Sequence, residues 1–270
     1  MVEPAGLPKG TQPEGARSEQ EASQRVRDMF TRIAPRYDLL NHLLSGQMDR
    51  LWRARVAREM RPILERRDAV VLDLCCGTGD LAFALARRAK AKIVGADFSY
   101  TMLVRAREKA ARTNGTARME FFEADALRLP FAGGSFDLIT AAFGFRNLAN
   151  YEDGLREMLR LLKPGGTLGI LEFAEPAPGV LGDLYRFYTR SILPKIGGLI
   201  SGDKDAYAYL PKSVARFFLP EELAGLMRSV GYGSVRYLLM TLGSVALHIG
   251  ERERLTTEMA EAPQRAQRRT

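Results

Sequence analysis

From about residue 70 to residue 250, short apolar runs alternate with stretches whose apolar residues recur every three or four positions. Runs of four to eight suit buried strands, and the longer period suits helices packed on them. Residues 70–74, 92–97, 119–124, 136–142 and 167–173 read as strands, with helices at 79–90, 99–113 and 151–162 between them. Strict alternation of this kind predicts an α/β protein with a doubly wound parallel sheet. A further helix is predicted at 220–230, with Pro220 in its first turn and Gly231 as its stop. Strands at 234–241 and 244–250, split by Leu242-Gly243, would close one edge as an antiparallel hairpin.

Before the first strand the pattern is helical. Val26, Met29, Phe30 and Ile33 share a spacing that begins near residue 23, and Pro35 ends it. Tyr37, Leu40, Leu43 and Leu44 line one face of a second segment, which breaks at Ser45-Gly46 before a helix from Met48. Residues 23–67 are thus an N-terminal helical appendage. Residues 177–218 form a helical insertion before the last helix and hairpin, rich in aromatics (Tyr185, Phe187, Tyr188, Tyr207, Tyr209, Phe217, Phe218). One domain spans 23–251. Residues 1–22, rich in Pro, Gly, Glu and Gln, are expected to be a disordered tail, and the charged residues 252–270 to fray.

A chain of 270 residues accommodates one such domain with elaborations. No apolar stretch approaches the roughly 20 residues that span a bilayer. The first residues lack the basic start and apolar core of a secretory signal, so a cytoplasmic location is expected. Cys75 and Cys76 are the only cysteines. Adjacent cysteines rarely bridge and show no metal-ligand spacing, so they predict packing at a strand end and no metal site. The net charge of +8 is uneven: eleven arginines stand against five acids between Arg25 and Arg67. Such a face suits nucleic acid, an anionic membrane surface or an acidic ligand, or is simply a solvated side of helices.

The stretch Val70–Ala82 carries the first chemical signal. Gly77-Thr78-Gly79-Asp80-Leu81-Ala82 matches the G-x-G-x-x-G/A fingerprint, between a predicted strand and a helix. An open sheet binds nucleotide-like ligands at that place. A dinucleotide would set its pyrophosphate on the helix N-terminus. Asp80 in the first turn and Asp73 at the strand end would oppose it. S-adenosylmethionine, with a sulfonium and an ammonium, fits better. Asp97, ending the second strand, can accept both ribose hydroxyls. Asp125 with Ala126 and Leu127 can read the adenine edge, leaving the methionine end near Asp73 and Gly77, Thr78 and Gly79. The bland alternatives are glycines that serve only the turn, and aspartates that cap helices. The Asn/Asp-Pro-Pro-aromatic motif of many exocyclic-amine methyltransferases is absent from residues 140–147, which demotes base methylation and nucleic-acid partners.

Several stretches carry a family resemblance: RYDLLNHLLS and DRLWR within residues 30–53, LDLCCGTGDLA, FGFRNL, LKPGG-x-L, LEFAEP, AYAYLPKSV and GSVALHIG. Together they resemble the ubiquinone/menaquinone biosynthesis C-methyltransferases over residues 26–250. The resemblance implies a Rossmann-like, seven-stranded class I methyltransferase sheet. It also implies S-adenosylmethionine-dependent C-methylation of a prenylated quinol, most directly demethylmenaquinol, with the benzoquinol of ubiquinone synthesis or another phenolic or lipid acceptor as alternatives. Its cofactor contacts fall on Thr78, Asp97 and Asp125-Ala126, and its catalytic pair on Arg146 and Asn147. Where the ubiquinone branch usually has Asn and Ser, this chain has Asp125 and Ala142. A quinol carbon becomes nucleophilic as its neighbouring hydroxyl loses a proton, which calls for a base or a phenolate-stabilising cation. Arginine does not readily accept a proton, so Arg146 is read as electrostatic, against a structural pairing with an acid such as Asp38 or Asp49. Tyr37 and His42 are possible pocket residues. The greasy acceptor predicts peripheral contact between the basic N-terminal face and an anionic membrane. The aromatic insertion would serve the prenyl chain or a homodimer.

Overall fold

The computed structural model describes residues 9–113, 119–176, 179–187, 191 and 204–254. Seven strands form one sheet: β1 Val70–Leu74, β2 Lys92–Asp97, β3 Met119–Glu123, β4 Phe136–Ala142, β5 Leu162–Phe173, β6 Tyr232–Met240 and β7 Val245–Arg252. Their order is β3-β2-β1-β4-β5-β7-β6. The first five are parallel, whereas β7 lies antiparallel between β5 and β6. The predicted hairpin therefore closes the edge with its second strand inserted. Strand order reverses between β1 and β4, the place where such sheets open a crevice at their C-terminal ends.

Apolar residues dominate β1 and β4 because helices cover both faces. On one face Trp52, Val56, Met60, Leu64, Leu81 and Leu103 pack against Val71, Ile93 and Leu138. On the other, Phe145, Leu155, Met158, Leu223 and Met227 pack against Leu72, Ile139 and Ile170. The helices involved are α3 Met48–Glu59, α4 Arg61–Leu64, α5 Asp80–Ala86, α6 Tyr100–Ala111, α7 Tyr151–Leu161 and one at Pro220–Val230. Two boundaries depart from expectation for local reasons. β5 starts five residues early because Leu162 already pairs with Phe136, across an irregularity between Phe136 and Leu138. α5 stops at Ala86 because the chain peels away to bond the Leu64 carbonyl from the Lys90 and Ala91 N–H groups, at 2.8 and 3.3 Å.

The appendage begins with α1, Glu19–Ile33, capped by Ser18, whose hydroxyl accepts the Glu21 N–H at 3.2 Å. Pro35 converts its end into a 3-10 turn, and α2, Tyr37–Leu44, follows. Left-handed Gly46 and Gln47 then turn the chain into α3. Trp52 Nε1 donates to Thr241 Oγ1 at 2.8 Å, which pins the appendage to the β6–β7 connection.

The described part of the expected 1–22 tail is ordered: residues 19–22 open α1, four residues before the expected start, and residues 9–18 are tied down, with Tyr151 N–H donating to the Lys9 carbonyl at 2.8 Å. Within the insertion, α8 spans Val180–Phe187 and α9 spans Lys204–Ala215, followed by α10 at Pro220–Val230. Phe217 and Phe218 pack on Tyr151, with ring centroids 5.6 and 5.2 Å away, so these two belong to the core rather than to a lipid channel. The side chains of Tyr185, Tyr188 and Tyr207 lie outside the described residues, as do residues 1–8 and 255–270.

Candidate active site

A cleft opens at the C-terminal ends of β1, β2, β3 and β4. Its floor is the glycine loop, where Cys75 and Gly77 both take left-handed backbone angles, at φ 53° and 54°. Gly144 is required opposite: a Cβ there would stand 2.3 Å from Cys75 Cβ, so only glycine lets the Phe143–Asn147 turn lie against the loop.

Asp97, Asp125, Ala126, Gly77 and Asn147 all line this one cleft. Asp97 is 6% exposed. Its two oxygens accept the Gly77 and Ser99 N–H groups at 2.9 and 2.8 Å, bracing the loop. Burial nevertheless pushes its carboxyl up to about 6, against the lowering effect of those bonds. Asp125 accepts the Leu127 N–H at 2.9 Å, an Asx turn that fixes the Ala126 peptide. The helical appendage supplies a roof: Ser23, Phe30 and Tyr37 face the cleft. The sequence reading named only Tyr37 among them; the α1 periodicity marked Phe30 as apolar without saying what it covers.

The other predicted residues stand elsewhere. Alternation along β1 sends Leu74 to the cleft and Asp73 beneath the loop, where Thr140 Oγ1 donates to its Oδ1 at 2.9 Å. Asp73 Oδ2 has no hydrogen-bond partner among the described residues, and burial pushes the carboxyl up to about 7. Gly79, at φ 85°, starts α5 and does not line the cleft. Thr78, which is buried, turns away from the cleft and donates to Asp38, joining a network in which Lys109 Nζ reaches Asp38 at 2.9 Å and Asp80 at 2.6 Å. Asp80, read as a charge repelling a pyrophosphate, is thus already paired.

Arg146 is not in the cleft lining. Its NH1 donates to Glu172 Oε2 at 2.9 Å and to the Phe143 carbonyl at 2.6 Å, and the guanidinium stacks 5.4 Å from the Phe173 ring centroid. Its acid is Glu172, not Asp38 or Asp49. Asn147 does face the cleft, and its Oδ1 accepts the Tyr209 hydroxyl proton at 2.9 Å. Tyr209 is the functional candidate that sequence reasoning left unassigned within AYAYLPKSV.

A second groove holds His42, whose Nδ1 is 2.7 Å from Asp49 Oδ2. Arg53 also bonds Asp49, so this cluster is an ion-pair network with its charges already matched. Much of the basic run is likewise paired: Arg55 with Glu59 at 2.9 Å, Arg61 with Glu65 at 2.6 Å, Arg66 with Asp137 at 3.0 Å. Part of the positive charge on the basic N-terminal face is therefore met by neighbouring acids.

Residues 18–252 match the model of the ubiE/COQ5 methyltransferase family. The chain belongs to that family. It is an S-adenosylmethionine-dependent C-methyltransferase. It is 52% identical over 225 residues to a demethylmenaquinone methyltransferase of Thermus thermophilus, covering 83% of this chain and all of that protein. It is 43% identical over 234 residues to the ubiquinone/menaquinone biosynthesis C-methyltransferase UbiE of Geobacter sulfurreducens, covering 86% and 90%. Among solved structures it is similar to the [4+2]-cyclase SpnF, with a TM-score of 0.64, 19% identity, and coverage of 93% and 100%. That likeness shows the fold alone, and the family match carries the activity.

Proposed function

We propose that the protein methylates a ring carbon of a prenylated quinol, most directly converting demethylmenaquinol to menaquinol. The observation that carries this reading is the single cleft in which the acid-tipped ends of β2 and β3 meet Asn147 and an aromatic wall of Phe30, Tyr37 and Phe143. The higher identity to the demethylmenaquinone enzyme favours the naphthoquinol over the benzoquinol.

The residues present fit the methyl donor. Each Asp97 oxygen uses one lone pair on a backbone N–H and keeps another for a ribose hydroxyl. The Asp125 turn presents a carboxylate and the Ala126 and Leu127 peptides to an adenine edge. Asp73, with one oxygen unpartnered among the described residues, adds negative potential beneath the loop, which suits a cation and opposes a pyrophosphate. When bound, S-adenosylmethionine supplies an electrophilic methyl group. The chain's part is to hold the acceptor and steady its ring oxygen as negative charge develops on it. Asn147, which lines the cleft with an amide N–H available, supports that role. Burial holds the Tyr37 hydroxyl above the usual phenol range, so Tyr37 acts as a donor rather than a base. We assign Arg146 to positioning: with Glu172 it anchors the Phe143–Asn147 turn.

Exposed Leu39, Leu43 and Leu51 on α2 and α3 stand beside a groove lined by Arg50, Arg87 and Arg112, which supports peripheral contact with an anionic leaflet. No helix among the described residues is long and apolar enough to cross a membrane.

The test is methylation of short-chain demethylmenaquinol against the matching benzoquinol, each in detergent and on vesicles containing anionic lipid. The naphthoquinol should turn over faster, and turnover should rise on anionic vesicles. Inactivity on both quinols would refute the acceptor reading; equal rates on neutral and anionic vesicles would refute the membrane contact.

A further inference from the structure

Residues 9–12 run as a strap along Leu148–Tyr151, the segment that follows the Phe143–Asn147 turn. Thr11 N–H donates to the Leu148 carbonyl at 2.7 Å, and the Lys9 carbonyl accepts from Tyr151 N–H at 2.8 Å. Gly10 makes this approach feasible: a Cβ there would stand 1.8 Å from the Ala149 carbonyl oxygen. Arg216 NH1 on the α9–α10 connection donates to the Gln12 carbonyl at 3.3 Å, tying the strap to the insertion. A segment rich in Pro, Gly and Glu is thus held by specific bonds, beside a residue that lines the cleft.

The strap delivers the Thr11 hydroxyl, on a residue 7% exposed, to within 2.7 Å of the Tyr209 hydroxyl. Tyr209 has one proton, and it goes to Asn147 Oδ1 at 2.9 Å. The Thr11 hydroxyl must then donate to Tyr209. This holds the amide of Asn147 with its oxygen toward Tyr209, while its nitrogen, 3.4 Å from the Phe143 carbonyl, keeps an N–H to spend. We propose that Thr11 and Tyr209 are positioning residues, forming a hydroxyl relay that orients the Asn147 amide so that its N–H, not its carbonyl, meets the acceptor's ring oxygen. A flipped amide would set a carbonyl dipole against an oxygen that is becoming anionic. The relay polarises along its length, strengthening the donor at its end. This inference rests on the quinol reading for its acceptor, but the relay itself is a property of the free protein.

Three variants test it: Tyr209→Phe, Thr11→Val and the double substitution. Loss of one preorganised donor to a developing oxyanion costs roughly 100- to 1000-fold, so disorienting rather than deleting it is expected to cost about 10-fold in kcat for Tyr209→Phe. Thr11→Val should cost less. The double variant should be no slower than Tyr209→Phe, because Thr11 acts through Tyr209. The acid limb of the kcat–pH profile should move to higher pH, while S-adenosylmethionine affinity and Tm stay near wild type. Thr11→Ser, which keeps the hydroxyl, should restore the wild-type rate.

A substrate-free readout separates this inference from the acceptor assignment. In side-chain amide NMR of the full chain, the Asn147 NH2 should show one fixed environment that is lost in both Tyr209→Phe and Thr11→Val. An unchanged Asn147 signal, additive losses in the double variant, or kcat falling only in step with Tm would overturn the relay. A wild-type protein that shows the fixed amide but methylates no quinol would instead overturn the acceptor reading.

Discussion

Replacing Asp97 with alanine is expected to weaken S-adenosylmethionine binding by at least about 100-fold. The carboxylate does two things at once: it braces the glycine loop through Gly77 and Ser99 N–H groups, and it faces the cleft with free lone pairs. A hydrogen bond to a charged group is worth about 1.5–3 kcal/mol, so losing a ribose contact together with the loop brace removes roughly 3 kcal/mol or more. That corresponds to two decades in Kd. Asp97→Asn is informative too, because its NH2 would confront an N–H donor at one of the two braced positions.

The pH dependence has a definite sign. Asp97 and Asp73 are pushed up to about 6 and about 7, so both are partly protonated just below neutrality. A cationic ligand favours their ionised forms, so wild-type affinity should rise as pH increases from 5 to 8 and fall on acidification. Calorimetric titration across that range reads both effects. A flat profile, or an Asp97→Ala variant that binds like wild type, would remove Asp97 and Asp73 from the cofactor site.

The second large effect is on stability. Glu172 is 1% exposed and receives both the Arg146 backbone N–H, at 3.1 Å, and its guanidinium, at 2.9 Å. Glu172→Ala leaves the Arg146 charge buried without its partner, which costs about 3–5 kcal/mol. Replacing both, as Arg146→Met with Glu172→Leu, removes the charge together with its counter-charge and should recover most of that loss. Urea denaturation midpoints decide the matter. A single and a double variant of equal stability would show that the ion pair is not what holds the Phe143–Asn147 turn.

The features legible in the sequence were local. The apolar runs at Val70–Leu74, Lys92–Asp97 and Phe136–Ala142 and the helix at Pro220–Val230 fall where periodicity and flanking turn residues put them. Asp97 and Asp125 were legible because a residue that ends a parallel strand necessarily sits at the crevice. What escaped depends on residues far apart in the chain. Glu172 lies 26 positions from Arg146 and Tyr209 lies 62 from Asn147, and no local pattern pairs them. Thr78 and Asp73 adjoin the glycine loop in sequence, and only the fold shows that strand alternation and the turn aim their side chains away from the cleft lining, toward Asp38 and Thr140. The composition of residues 9–18 argued for disorder, and composition carries no information about a carbonyl waiting at Leu148 to receive the Thr11 N–H.

The central claim is methyl transfer to a ring carbon of a quinol in the cleft between Asp97 and Asn147. Its most direct test is to incubate the 270-residue chain with S-adenosylmethionine labelled with carbon-13 at the methyl group and reduced short-chain demethylmenaquinol, then to take the carbon spectrum of the product. The label should appear as a ring-bound methyl, and Asp97→Ala at the same cofactor concentration should yield almost none. A label found on the quinol oxygen, or no transfer by the wild-type protein, would contradict the account.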